Sequence, residues 1–262
     1  MKQHDLNEIL VTSTLDGTSQ PSLLFIPSGA PRSVPLVIGL HTWSYDRFNK
    51  VDDYLPLCRA RGWALLLPDF RGPNLRTNPQ AAQACVADTA IQDIIDATDH
   101  VLGLHPQLAP DRLFLLGASG GGLAALMVAA RSPRRWAAVD TWCPVSDLLA
   151  WHRHYGNGVS YAAELEHCIG GTPDTIPDEY RRRSPVTYAA ALAQPILSIR
   201  QGRHDDIVPW QLNRDTYRAI EAFSPSALYF DLFDGAHDEH PHRSFEWFDA
   251  LLGQRDATTI TG

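Results

Sequence analysis

The 262-residue chain has few cysteines, no concentration of basic charge and no long apolar run, and each shortage removes a class of function. Its four cysteines, at 58, 85, 143 and 168, form no C-x-x-C pair and no zinc-like spacing, so they read as buried free thiols of a reducing compartment. The formal charge is −8, and the longest basic run is Arg181-Arg182-Arg183, so nothing resembles the basic stripe that a nucleic-acid partner requires. No segment approaches the ~20 apolar residues of a membrane-spanning helix. The start, Met1 to Glu8, is polar and lacks the apolar centre of a secretory signal, which gives a cytoplasmic expectation. Internal repeats and low-complexity tracts are missing too, and the length and composition suit one α/β domain over 1–262.

What the chain does have is a regular alternation of short apolar runs and longer amphipathic stretches. Strands are expected near 8–13, 21–26, 34–40, 63–68, 112–118, 136–141, 195–201 and 226–232. Helices are expected near 47–61, 82–104, 119–131, 209–222 and 240–252. The first two strands look like an antiparallel pair. From residue 34 the alternation implies right-handed βαβ crossovers and a mostly parallel eight-stranded sheet with helices on both faces. Continuously apolar strands such as Leu36-Val37-Ile38-Gly39-Leu40 fit that double cover. About fifty residues separate Thr141 from Pro195, far beyond an ordinary loop, so 142–194 is expected to form a small helical cap. The small polar tail from Gly253 to Gly262 is expected to fray.

The strongest local signal is Gly117-Ala118-Ser119-Gly120-Gly121 between an apolar strand and a helix-like run. That is the context of a nucleophile elbow, in which a strained turn lifts the serine hydroxyl above the sheet and glycines admit the close passage of helix and strand. A phosphate loop is excluded by the missing G-x-x-x-x-G-K-[ST]. Serine needs a base and a group that fixes the base's tautomer, and in this fold they follow in the order acid, then histidine. Asp205 and Asp206 both stand just past the strand ending near Gln201, and Asp140 and Asp147 compete from the preceding strand. His237 follows the last strand and is the expected base. The run His237-Asp238-Glu239-His240-Pro241-His242 reads as a charged helix start more readily than as a metal site. No cofactor and no metal are expected, and His240 and His242 are taken as exposed.

The oxyanion donors are expected to be the Gly120 amide and an amide from His41-Thr42-Trp43, with Trp43 preferred and Thr42 the alternative. His41, Trp43, Trp142 and Trp210 are the expected substrate-facing residues, with Trp151 also near the cap.

These motifs resemble the catalytic half of the prolyl-oligopeptidase-like α/β-hydrolases, over roughly residues 34 to 250. The carriers are Leu40-His41-Thr42-Trp43, Asp69-Phe70-Arg71-Gly72, Gly117 to Gly122, Tyr180 to Tyr188, Gln201 to Pro209 and Gly235-Ala236-His237. In that family the pattern H-G-x-x-D-x-x-V-P places the acid three residues after the glycine, which implies Asp205 over Asp206. Two departures stand out: Thr42 replaces the glycine that usually follows the histidine, and only about thirty residues precede the third strand, where the family's peptidases carry a β-propeller. The resemblance thus implies a compact esterase-like enzyme acting on small or medium carboxylic esters. A small peptidase or amidase is the alternative, and a catalytically dead binding protein the reading from another class.

Overall fold

The structure, a computed structural model, describes residues 6–29, 33–156 and 160–260. Eight strands among these residues form a single sheet: β1 (Leu6–Thr12), β2 (Ser19–Phe25), β3 (Val34–Leu40), β4 (Ala64–Pro68), β5 (Leu108–Ala118), β6 (Ala138–Trp142), β7 (Leu197–Gly202) and β8 (Leu228–Phe233). Their spatial order is β1-β2-β4-β3-β5-β6-β7-β8, with β2 antiparallel to both neighbours and every pair from β4 to β8 parallel. The order reverses around β3, since the chain leaves it for β4 on one side and later returns as β5 on the other. Open α/β sheets place their sites at such a switch point, outside the carboxyl ends of the strands.

Every residue of β3, β4 and β6 is buried, as expected for strands covered on both faces. Alternate side chains feed two cores. Leu36, Ile38 and Leu115 pack with residues of α2 (Asp88–Leu104), α3 (Gly120–Arg131) and α8 (Trp210–Glu221). Val37, Leu65 and Phe114 pack on the other face with Tyr54 of α1 (Val51–Arg61) and with Phe245 and Phe248 of α9 (Pro241–Ile260). The segment after β6 holds α4 (Leu148–Tyr155), α5 (Tyr161–Ile169), α6 (Pro177–Arg182) and α7 (Ala189–Leu192). Trp151 and Tyr180 from this segment are fully buried and join the first core.

Two helix boundaries differ from expectation by well over a turn. Helix α2 starts at Asp88 rather than near 82, because Cys85 and Val86 take left-handed backbone angles of 47° and 50° and Asn74 Oδ1 accepts the Cys85 N–H at 2.6 Å. Its place before residue 84 is taken by a short 3-10 turn, Ala81–Gln83. At the C-terminus α9 continues past Gly253, where the tail is expected to begin, to Ile260; Thr261 and Gly262 lie outside the described residues.

Arg71, in the Asp69-Phe70-Arg71-Gly72 motif, is fully buried and explains how the N-terminal hairpin is held. Its guanidinium donates to both Asp93 oxygens, at 2.5 and 3.2 Å, to both Asp16 oxygens, at 2.8 and 3.1 Å, and to Gln83. This charged, forked contact draws the β1–β2 turn against α2.

Candidate active site

Ser119 lies between β5 and α3 with φ 55° and ψ −119°, a conformation that a non-glycine residue holds only when its surroundings enforce it. The enforcement is visible. The Ser119 N–H donates to the Trp142 carbonyl at 2.8 Å, and its own carbonyl accepts from Leu123 N at 3.0 Å. A Cβ on Gly117 would run into the Gly121 carbonyl, and one on Gly120 would sit 2.8 Å from both the N and Cα of Trp43. Side chains at these positions would push helix, elbow and neighbouring loop apart.

Ser119 shares a cavity of about 280 Å³ with His237, on the loop after β8. His237 Nδ1 lies 2.8 Å from Asp205 Oδ2. The Asp205 side chain is wholly buried, while that of His237 is 19% exposed. Burial alone would raise the Asp205 pKa, but the His237 contact, the Val208 N–H and the Gln201 amide together bring it below the usual carboxylate range. Asp205 Oδ1 accepts from Ile207 N at 2.9 Å and Val208 N at 2.8 Å, and Gln201 Nε2 donates to Oδ2 at 2.9 Å. The aspartate therefore fixes its own turn as well as the histidine. Asp206 is exposed and meets neither.

The competing acids are engaged elsewhere. Asp140 is fully buried and takes Arg200 Nε on both oxygens, at 2.9 and 3.1 Å. Asp147 caps α4 by accepting from Ala150 N at 3.0 Å.

Thr42 and Trp43 are separated by one hydrogen bond. Asn49 Oδ1 accepts the Thr42 N–H at 3.0 Å and its hydroxyl at 3.1 Å, which removes the Thr42 amide as a donor to substrate. Among the described residues nothing accepts from the Trp43 N–H, which lies beside Gly120. The Gly120 N–H, at the first position of α3, has no intrahelical acceptor either. Two free amides thus border the elbow.

The aromatic expectations fare unevenly. His41 is not among the residues lining the serine cavity: it is buried, stacked on Phe70 at 3.9 Å, and its ring nitrogens lie 2.9 Å from the Thr42 and Asp69 carbonyls. Burial lowers its pKa against the pull of those carbonyls. Trp43 turns its indole into a cluster with Trp151 and Tyr161, at 5.0 and 6.0 Å, where its buried Nε1 has no hydrogen-bond partner among the described residues. Trp142 borders the serine cavity, yet its ring is buried, with Nε1 donating to Ser244 Oγ at 2.8 Å and Arg200 and Arg243 over its faces. Trp210, at the start of α8, is not among the residues lining that cavity; its ring meets the Arg214 guanidinium.

Among the lining residues to which sequence reading gave no site role are Lys50, Glu239 and Cys143. Lys50 and Glu239 form an ion pair at 2.5 Å, each side chain only 9% exposed. Cys143, at φ 45°, brings its Sγ within 4.8 Å of the facing atoms of Asp205 and His237, and burial pushes its thiol pKa well up. All four cysteines are free and buried. No motif flags any of these contacts, because the partners lie far apart in sequence.

A sheet of this order with a nucleophile elbow after its fifth strand is the α/β-hydrolase fold. Within that class the chain belongs to the prolyl oligopeptidase family, whose pattern it matches over residues 49–237. It is 28% identical over 150 residues to the uncharacterized peptidase YtmA of Bacillus subtilis (strain 168), a match covering 56% of this chain and 54% of YtmA. Among solved structures it is similar to the Pyrococcus horikoshii acylaminoacyl peptidase, with a TM-score of 0.75 and 16% identity over 98% of this chain and 42% of that one. A Mycobacterium tuberculosis puromycin-hydrolyzing peptidase gives a TM-score of 0.76 and 19% identity over 95% and 39% of the two chains. The chain thus spans about half the length of these relatives or less. At such identities the structural likeness establishes the fold. No helix among the described residues is long and apolar enough to cross a membrane.

Proposed function

We propose that the protein is a serine hydrolase that cleaves amide bonds of small peptides or acylated amino compounds. The observation that carries this is Ser119, held in a strained elbow and sharing its cavity with a histidine bonded to a buried aspartate. His237 takes the serine proton as Oγ attacks the acyl carbon, and the Asp205 carboxylate holds the imidazole and stabilises its charged form. The amides of Gly120 and Trp43 receive the negative oxygen of the tetrahedral intermediate. His237 then returns the proton to the leaving nitrogen, and water releases the acyl group from Ser119 by the same route.

Amide substrates are preferred here over the esters suggested by the lone sequence because the family is one of peptidases, and relatives are described as acylaminoacyl and puromycin-hydrolyzing peptidases. Ester cleavage is the second reading. It draws on the same acyl-enzyme and on a cavity of only about 280 Å³, suited to compact groups. The test is a side-by-side measurement of kcat/KM on aminoacyl and peptidyl p-nitroanilides and on p-nitrophenyl esters of graded acyl length, with Ser119→Ala as control. Anilide turnover that rises with peptide-like acyl groups supports the peptidase reading. Ester turnover alone overturns it, and activity surviving Ser119→Ala removes the serine mechanism.

A further inference from the structure

Two neighbouring residues at the start of α1 reach to two different loops of the site. Asn49 uses its side-chain oxygen on the backbone and hydroxyl of Thr42, in the loop that presents the Trp43 amide. Lys50 uses its ammonium on Glu239, two residues beyond His237. One turn later, Tyr54 donates its hydroxyl to the other Glu239 oxygen. Glu239 is therefore gripped on both oxygens by α1, across 189 and 185 residues of sequence.

We propose that Asn49 and Lys50 are positioning residues that hold the oxyanion loop and the histidine loop in register with each other, with Glu239 as the anchor on the histidine side. This rests on the reading of Ser119, His237 and the Trp43 amide given above.

Stability alone is a poor account of the Lys50–Glu239 pair. Removing two charges from water costs much of what their attraction returns, so apolar residues of similar size would serve a core as well. What a paired charge adds is a defined geometry. Here that geometry is set beside the reacting groups, because Lys50, Glu239 and Thr42 line the cavity that holds Ser119 and His237. The histidine loop is braced from within by the Ala236 N–H on Asp238 Oδ2 at 2.9 Å, and Glu239 adds a hold from outside it. Cys143 Sγ lies 3.8 and 3.6 Å from the carbonyls of Ala236 and Asp238, a weak contact, and the stronger His204 N–H bond to Gly235 lies before the histidine. The ion pair from Arg61 to Asp249, at 2.8 Å, joins α1 to α9 away from the cavity and supplies a comparison.

The charged and titratable groups that line the cavity with His237 or touch its ring are Asp205 at its Nδ1, Cys143 after β6, Lys50 and Asp53 at the start of α1, and Asp238 and Glu239 on its own loop. Removing Lys50 leaves Glu239 uncompensated, which favours the imidazolium; removing the Glu239 charge leaves Lys50, which disfavours it.

The experiment is a double-variant cycle with Lys50→Met, Glu239→Gln and both together. Its readouts are the second-order rate of Ser119 labelling by a fluorophosphonate, the pH dependence of that rate, and the melting temperature. Each single variant is expected to label on the order of 10- to 100-fold more slowly, as loss of alignment costs. The acid limb should move to higher pH in Lys50→Met, to lower pH in Glu239→Gln, and back toward the parent in the double variant. Lys50→Arg should restore part of the rate, and Arg61→Gln should leave rate and limb unmoved. Folded single variants that label within two-fold of the parent, with an unmoved limb, overturn the proposal. If a single variant does not fold, Tyr54→Phe and Glu239→Asp carry the same comparison. A parent protein that labels elsewhere than on Ser119 overturns the underlying reading instead, so the two failures are distinguishable.

Discussion

Asp205 divides its carboxylate between two tasks: Oδ2 meets His237 Nδ1 at 2.8 Å, while Oδ1 accepts the backbone N–H groups of Ile207 and Val208. The residue that fixes the histidine is thus itself fixed by the turn it makes. Asp205→Asn should lower kcat by up to about 10⁴-fold with substrate binding largely retained, since the amide no longer enforces the tautomer or stabilises the imidazolium. Asp206→Asn, on an exposed side chain, should change kcat little. Steady-state kinetics on both, after circular dichroism has shown them folded, decide the matter; a severe Asp206 variant beside a mild Asp205 variant would reverse the assignment.

The same carboxylate makes stability depend on pH. Its folded pKa lies below the ordinary value of about 3.9, so its contribution is present above that value and is lost as pH falls through the folded pKa. Urea unfolding of the parent should therefore weaken below about pH 4 more steeply than that of Asp205→Asn. Parallel slopes for the two proteins would show that Asp205 contributes nothing to the acid limb of stability.

Gly120→Ala tests the oxyanion amides. The added methyl would lie 2.8 Å from the Trp43 backbone, so the loop must shift and one or both amides lose their aim. The expected loss in kcat is about 10²- to 10³-fold, the usual cost of one oxyanion donor. A variant that keeps full activity would mean that the Trp43 amide does not serve the reaction.

Arg71→Met should be the most damaging of these variants to the fold, because it leaves the buried Asp93 carboxylate without its cation. Breaking a buried pair from one side costs about 3–5 kcal/mol. Arg71→Met with Asp93→Leu should recover part of that loss, and a denaturant titration that finds the double variant no better than the single one would refute the account.

Much of this was legible in the sequence because it is local. Apolar runs and their spacing locate the eight strands, and the elbow is a five-residue pattern whose glycines and serine are adjacent in the chain. The order Ser119, Asp205, His237 is also readable, since each stands just past a strand of a parallel sheet and all such ends lie on one edge. Sequence alone preferred Trp43 to Thr42 as a donor, but it could not show that the Thr42 amide is taken, nor that the His41 ring is enclosed away from the lining of the serine cavity. Those outcomes turn on Asn49 taking one amide and on Phe70 and the Asp69 carbonyl enclosing the imidazole. Nor could it join Lys50 to Glu239. Local pattern reports the backbone that a segment adopts and the face it buries. Which polar atoms find partners is settled only when α1, the oxyanion loop and the histidine loop pack together, because there each buried donor must take the acceptor that the fold brings within reach.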